Sequence, residues 1–304
     1  MDLRSLEIFV AVAEELHFRR AASRLNTTQP AVSMRIRALE DLVGVALIAR
    51  DRRSVALTEA GRSFLDHARS AVRHGRDGML QARMAARGEI GLLRLGYTPL
   101  TSYAGMPTLV RRFREAHPGV RVELVQDVSA GLEAAVTADA VDIALLHPPV
   151  YQAGISFEEL HQEELILAIP AEHRLARVSA VRMHDLDGEP FLIGPRSLGP
   201  HLYDEIILRF RQAAIQPNIV QEIAGMANLI GLAAAGVGLG FVIRSLDVIQ
   251  RPGVIYRPIV DVQPLHLPVA IAWRENSQSA ILTHVRAVAG ECYPLREHSP
   301  NAPS

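Results

Sequence analysis

Gln29, Ser33 and Arg37 recur every four residues, with Arg35 flanking them. On one helix, an amide, a hydroxyl and guanidinium groups supply the donors and acceptors that base edges in a DNA major groove require. The segment carrying them has the marks of a helix start. Thr28 can cap with its hydroxyl, and Pro30 falls in the first turn, where its missing N–H removes no intrahelical bond. Ala31, Ile36, Leu39 and Leu42 then give an inward stripe. Just upstream, Ala21, Ala22 and Leu25 form a short apolar face that Asn26 and Thr27 interrupt. Two helices with a tight turn between them have the layout of a helix-turn-helix. An ordinary helical hairpin with a solvated polar face satisfies the same pattern, so the flanking sequence has to decide.

The elements on either side favour DNA. Apolar runs over 45–48 and 54–57 enclose Ala49-Arg50-Asp51-Arg52-Arg53, a two-stranded hairpin with a basic tip. Arg50, Arg52 and Arg53 there can contact phosphate, which sets register and affinity but not sequence choice. Residues 5–16 form an amphipathic helix whose Leu6, Phe9, Val10, Ala13 and Leu16 pack beneath the motif. After the wing, Thr58 caps a long helix reaching about Gly88. Leu65, Val72, Met79 and Ala86 recur every seven residues, and Ala68, Gly75 and Ala82 follow at the offset of three. That is the seam of a two-helix coiled coil, weakened by Gly75 and Gly78; a helix packed on its own domain is the alternative. Residues 1–88 carry 15 Arg against 10 acids, and residues 89–304 carry 17 Arg against 23 acids. A basic front on an acidic back suits a chain whose front meets a polyanion, although chance partition would give the same split.

From residue 92 strands alternate with helices. Strands are predicted over 92–96, 120–125, 141–146, 165–169, 191–193, 219–223, 239–243 and 265–273. Helices are predicted over 106–116, 129–138, 202–213, 226–235 and 279–289. The alternation argues an α/β class, with parallel sheets covered by helices on both faces. Two small sheets crossed twice by the chain make a cleft like that of periplasmic solute-binding proteins. The expected division is 1–58 for a winged helix-turn-helix domain, 59–89 for a linker helix and 90–304 for an effector domain. Its first lobe spans about 90–161 and 268–304, and its second about 162–267. In such sheets ligands sit outside the carboxyl ends of strands, where helix N-termini point N–H groups at anions. Three segments qualify: residues 98–102, with Thr98, Leu100, Thr101 and Ser102; Ser129; and Arg196 with Ser197 ahead of the helix near His201. Asn228 begins a fourth helix. Hydroxyls plus one Arg suit a small carboxylate. Thr98, Ser129 and Ser197 read equally well as ordinary caps.

Much other chemistry is excluded. All 32 basic residues are Arg, so no lysine is present for a Schiff base or a phosphate-cradling P-loop. Gly236-Val-Gly-Leu-Gly240 lacks dinucleotide spacing and precedes a strand, which reads as close helix–strand packing. Pro195 occupies the first glycine site of a nucleophile elbow over 194–199. The twelve histidines form no metal motif, and His147 and His161 read as surface or packing residues. No cofactor is indicated. Cys292 is alone, the apolar runs are too short to span a bilayer, and Met1-Asp2-Leu3-Arg4 lacks a signal-peptide layout. These features predict a cytoplasmic protein without a membrane partner.

Residues 1–61 closely resemble the N-terminal domain of the LysR-type transcriptional regulators. The shared features are Leu3-Arg4-Ser5-Leu6-Glu7-Ile8-Phe9, Val12-Ala13-Glu14-Glu15, Ala21-Ala22-Ser23-Arg24-Leu25, Thr28-Gln29-Pro30-Ala31-Val32-Ser33, Leu39-Glu40, Leu42-Val43-Gly44-Val45 and Leu57-Thr58-Glu59-Ala60-Gly61. Met34 departs from the pattern, since the position after Ser33 is often Arg in this family. The resemblance implies a non-enzymatic regulator that binds a near-palindromic site on double-stranded DNA. It also implies dimers made by the linker helix, tetramers made through the C-terminal domains, and RNA polymerase as a further contact. It places the effector between the lobes, touched by the three segments already named. Where the branch responding to aromatic acids has a hydroxyl, this chain has Leu100. A transport binder or an enzyme using the same cleft are the competing readings, and the basic helical front argues against both.

Overall fold

Asp2 accepts the Ser5 backbone N–H and starts α1 (Leu3–Glu15). His17 Nδ1 likewise accepts from Arg19 and Arg20 at the head of α2 (Phe18–Arg24). The chain then turns through Asn26 in the left-handed region, and Thr28 Oγ1 accepts the Ala31 N–H to open α3 (Gln29–Val43). The computed structural model describes residues 1–50, 54–248 and 250–293. It divides into two compact units, Met1–Ala86 and Arg87–Ser304.

In the first unit Phe9, Val12, Ala21, Val32, Ile36 and Leu39 interlock as one core. Two residues predicted to face inward do not: Leu16 ends α1 in a left-handed conformation and Leu42 sits on the far turn of α3, both exposed. Strands β1 (Ile48–Arg50) and β2 (Val55–Leu57) pair antiparallel, Ile48 opposite Leu57. Helix α4 (Glu59–Ala86) starts where Thr58 Oγ1 accepts the Gly61 N–H. Its first half lies on α1, with Ala68 and Val72 buried in that core and Leu65 packed against it. At Gly75 an added Cβ would stand 2.9 Å from a Leu3 methyl, so the Leu3 side chain would have to shift to admit it. This corrects the predicted seam. Leu65, Ala68, Val72 and Gly75 cover their own domain, because the apolar face of α1 is the nearest surface that needs covering. Residues 76–83 remain exposed, Met79 and Leu80 among them.

In the second unit β3 (Gly91–Tyr97), β4 (Val120–Gln126) and β5 (Ile143–Leu146) run parallel, β3 in the middle. Helices α5 (Met106–Ala116) and α6 (Ser129–Thr137) make the crossovers. Strand β5 is buried on both faces: Ile143 and Leu145 meet Phe113 and Val285, while Ala144 and Leu146 meet Leu132 and Val136. Such strands read as continuous apolar runs, which is why this part of the sheet was legible.

The remainder differs from an all-parallel expectation. Strand β6 (Ile155–Pro170) is a single ribbon through both lobes. Up to Glu164 it pairs antiparallel with β11 (His266–Arg274), which lies against β5. From Leu165 it pairs with β9 (Gly240–Ile243), and from Leu167 with β10 (Val254–Arg257) as well. In the second lobe β7 (Pro190–Ile193) is parallel to β8 (Asn218–Glu222) and bridges to Leu239 beside β9. Helices α7 (Pro200–Gln212) and α8 (Met226–Ala234) cover this lobe, and α9 (Ala280–Cys292) returns to the first. Residues 155–164 escaped prediction because one face of that strand is polar, leaving no apolar run. The two lobes are therefore joined by a continuous strand instead of a helical crossover.

Candidate functional site

On α3 the buried Val32, Ile36 and Leu39 define the inner side. At about 100° per residue, Pro30, Met34 and Asp41 point most directly away, with Arg37 and Ala38 beside them. All five are exposed. Gln29, also exposed, and half-buried Ser33 occupy one flank. Arg35 lies on the other, about 160° round from Ser33, so it does not share their face. Its Nη1 is 2.9 Å from Asp2 Oδ2. Hydrogen bonds from Ser5, reinforced by Arg35, hold the Asp2 carboxyl down to about 2. Thr28 is exposed and its hydroxyl is used as the cap.

In the wing, Glu40 accepts the N–H groups of both Leu47 and Ile48 at 2.9 Å and pairs with Arg50 at 3.0 Å. The Arg50 guanidinium also lies over the Phe18 ring, 4.9 Å from its centre. Arg50 thus braces the wing against α2 and α3, a role its position in a basic tip did not disclose. Arg52 and Arg53 lie outside the described residues. Across the helices, Arg76 pairs with Glu7 at 2.8 Å and Arg69 with Glu14 at 3.1 Å, tying α4 to α1.

In the second unit His147 gathers the first-lobe segments. Its Nδ1 is 2.9 Å from the Pro268 carbonyl and its Nε2 is 3.0 Å from Thr98 Oγ1. A carbonyl only accepts, so Nδ1 carries the hydrogen and Nε2 accepts from the Thr98 hydroxyl. Desolvation drops the imidazole to about 4, against the pull of the Pro268 bond, so it is neutral near pH 7. The His147 backbone N–H donates to Ser129 Oγ at 3.1 Å. Thr101, fully buried, donates to the Thr98 carbonyl at 2.9 Å, and Ser102 donates to the Pro99 carbonyl at 2.6 Å.

Thr98, Thr101, Ser129 and His147 therefore form one cluster. It is not the helix-terminus arrangement predicted for Thr98, since α5 starts only at Met106. Sequence reading set His147 aside, because its partners lie 18 to 121 positions away. Beside the cluster, buried Glu133 accepts the Tyr151 and Gln152 N–H groups at 2.9 and 2.8 Å and holds the loop after β5. That residue was also missed.

The second-lobe candidates Arg196 and Asn228 hydrogen-bond within their own lobe. Arg196 pairs bidentately with Asp204 at 2.8 and 2.7 Å, which raises the guanidinium and lowers the carboxyl. Arg196, the one Arg predicted to meet a carboxylate ligand, is thus already paired with a carboxylate from the first turns of α7. Ser197 and His201 are exposed nearby. Asn228 turns back to donate to the Ala224 carbonyl at 2.8 Å. Leu100 alone of the first-lobe candidates packs against the apolar core of the second lobe. A shallow groove of about 590 Å³ between α5 and β4 involves none of these residues; Met106, Val110 and Leu124 line it. Among the described residues no group of three His, Cys, Asp or Glu side chains is placed to hold a metal, and no helix is long and apolar enough to cross a membrane.

Residues 3–62 match the bacterial regulatory helix-turn-helix protein, lysR family, and residues 86–292 match the LysR substrate binding domain. The chain belongs to the LysR family. This LysR-family protein is a DNA-binding transcriptional regulator with an effector-binding domain. It is 38% identical to the HTH-type transcriptional regulator AlsR of Bacillus subtilis (strain 168), over 93% of this chain and 94% of that one. It is 32% identical to the Hca operon transcriptional activator HcaR of Escherichia coli (strain K12), over 96% and 98%. Its fold is similar to the crystal structure of CbnR, a LysR family transcriptional regulator, with a TM-score of 0.84 at 28% identity over 95% of this chain and 100% of that one. Full-length CbnR complexed with its target DNA matches with a TM-score of 0.82 over the same shares.

Proposed function

We propose that this regulator reads a near-palindromic operator with α3, Gln29 and Ser33 meeting base edges and Arg37 reaching the same groove. The observation that carries the reading is the exposed face of α3, whose opposite side is locked into the domain core. Arg35 contributes after exchanging Asp2 for DNA, Arg52 and Arg53 serve phosphates, and Arg50 joins them by giving up Glu40. Replacing Gln29 with Ala should cost about 1–3 kcal/mol and relax one operator position, whereas Arg53→Ala should weaken all sequences alike and reduce the salt dependence. Titration of both variants against the operator and scrambled duplexes separates the roles; equal losses on every duplex would refute the division.

In this reading the effector is a small carboxylate held between the lobes near Ser129 and Arg196, with Leu100 closing the apolar side. The continuous β6 supports it, since a single strand shared by two lobes can flex while keeping both in register. Copies pair through the outer half of α4, where Met79 and Leu80 are bare, and pair again through the β4 edge, where Leu124 and Val125 are exposed beside the α5 groove. The protein works in the cytoplasm, contacts RNA polymerase when it activates, and catalyses no reaction.

A further inference from the structure

We infer that Met34 is a specificity-determining residue whose side chain packs on the C5-methyl of a thymine in each half-site. The inference rests on the reading of α3 as the recognition helix. Met34 is 65% exposed, far more than a long apolar side chain in a folded domain needs to be. It stands opposite the buried Val32, Ile36 and Leu39, on the second turn of α3, where helix-turn-helix proteins meet base edges. Its neighbours on the outward side are Pro30, Arg37, Ala38 and Asp41, so an apolar strip of Pro30, Met34 and Ala38 runs beside a polar one.

A major groove offers one apolar group, the thymine methyl. A thioether chain with three rotatable bonds can settle onto it without strict geometry. The same side chain has no strong donor for a guanine edge and no strong acceptor for a cytosine amine. Facing a G·C pair, it would strip water from those groups and return nothing, which disfavours such pairs at that position. The contact thus selects by attraction to a methyl and by leaving polar edges unpaired. A guanidinium at the same position would prefer guanine.

The test uses the full chain. Duplexes bound from a random pool define the operator, and each thymine in it is then replaced by deoxyuridine, which differs only in lacking the methyl. The expected result is one thymine per half-site whose replacement weakens wild-type binding about fourfold, the factor a buried methyl-sized group is worth. Met34→Ala should bind thymine and deoxyuridine duplexes equally, and Met34→Leu should keep the preference. If every deoxyuridine shifts wild type and Met34→Ala by the same factor, the Met34 contact is wrong while α3 still reads the operator. If the pool yields no enriched sequence, the reading of α3 itself fails, and the inference with it. Loss of self-association in Met34→Ala with unchanged thymine preference would assign the exposed side chain to a second copy of the chain and overturn the inference.

Discussion

His147 is the residue at which the first-lobe loops meet. Its imidazole stays neutral because burial leaves a charge no water, while the Pro268 carbonyl and the Thr98 hydroxyl fill both ring nitrogens. The folded value is about 4 against 6.5 for the free side chain. Between those values the unfolded chain binds more protons, so stability is full above 6.5 and falls as the pH drops towards 4. The loss is of the order of 3 kcal/mol. Thermal unfolding of the wild type and His147→Gln from pH 7 to 4 checks this: the wild-type advantage should shrink by about that amount. Parallel curves would mean that the ring is not held neutral. Arg196 is held by Asp204, so it is available to a ligand only to the extent that this carboxylate can be displaced.

At the scale of elements, α4 divides into two halves with different work. Val72 is in the core under α1, whereas Met79 is half-exposed one heptad later. Val72→Asp should bury an unpaired charge and destabilise the DNA-binding domain by several kcal/mol. Met79→Asp should leave the fold intact and shift self-association. Circular dichroism melts together with light scattering distinguish the two; a Val72→Asp protein that melts normally but is monomeric would return the seam to the dimer. Gly61 marks where the same helix passes the wing. A Cβ there would stand 2.0 Å from the Leu47 carbonyl oxygen, so Gly61→Ala has to displace backbone.

For the molecule as a whole, a ligand that touches both lobes shifts the protein only by its difference in affinity between open and closed forms. Reciprocity then requires operator DNA to change effector affinity by the same factor, about 5–150-fold for typical couplings. Calorimetry on the free protein and on the DNA complex should give different dissociation constants; identical ones would sever the cleft from the operator. Asp204→Asn leaves Arg196 uncompensated and should tighten a carboxylate effector by up to about fivefold, the worth of an exposed ion pair. Unchanged affinity would place the carboxylate elsewhere than Arg196.

Local signals made the DNA-binding motif legible. Thr28, Pro30 and the inward Ile36 and Leu39 announce a capped amphipathic helix within a dozen residues, and β5 is apolar because both its faces are covered. A period of seven shows that Leu65 and Val72 need a partner surface, yet it is silent on whether that surface belongs to the same domain or to a second copy. Strand β6 was half hidden because the exposed face of 155–164 carries glutamates, which periodicity reads as loop. The outcome for Arg196 depended on Asp204 across a turn, and His147 drew partners from Thr98, Ser129 and Pro268. Local pattern in the chain sets the helices, the apolar strands and the inner stripe of α3 at Ile36 and Leu39, because caps and periodicity act over one or two turns. Which charges are already spent and which hydroxyls are already bonded follows from packing, because those pairings depend on which distant segments lie side by side.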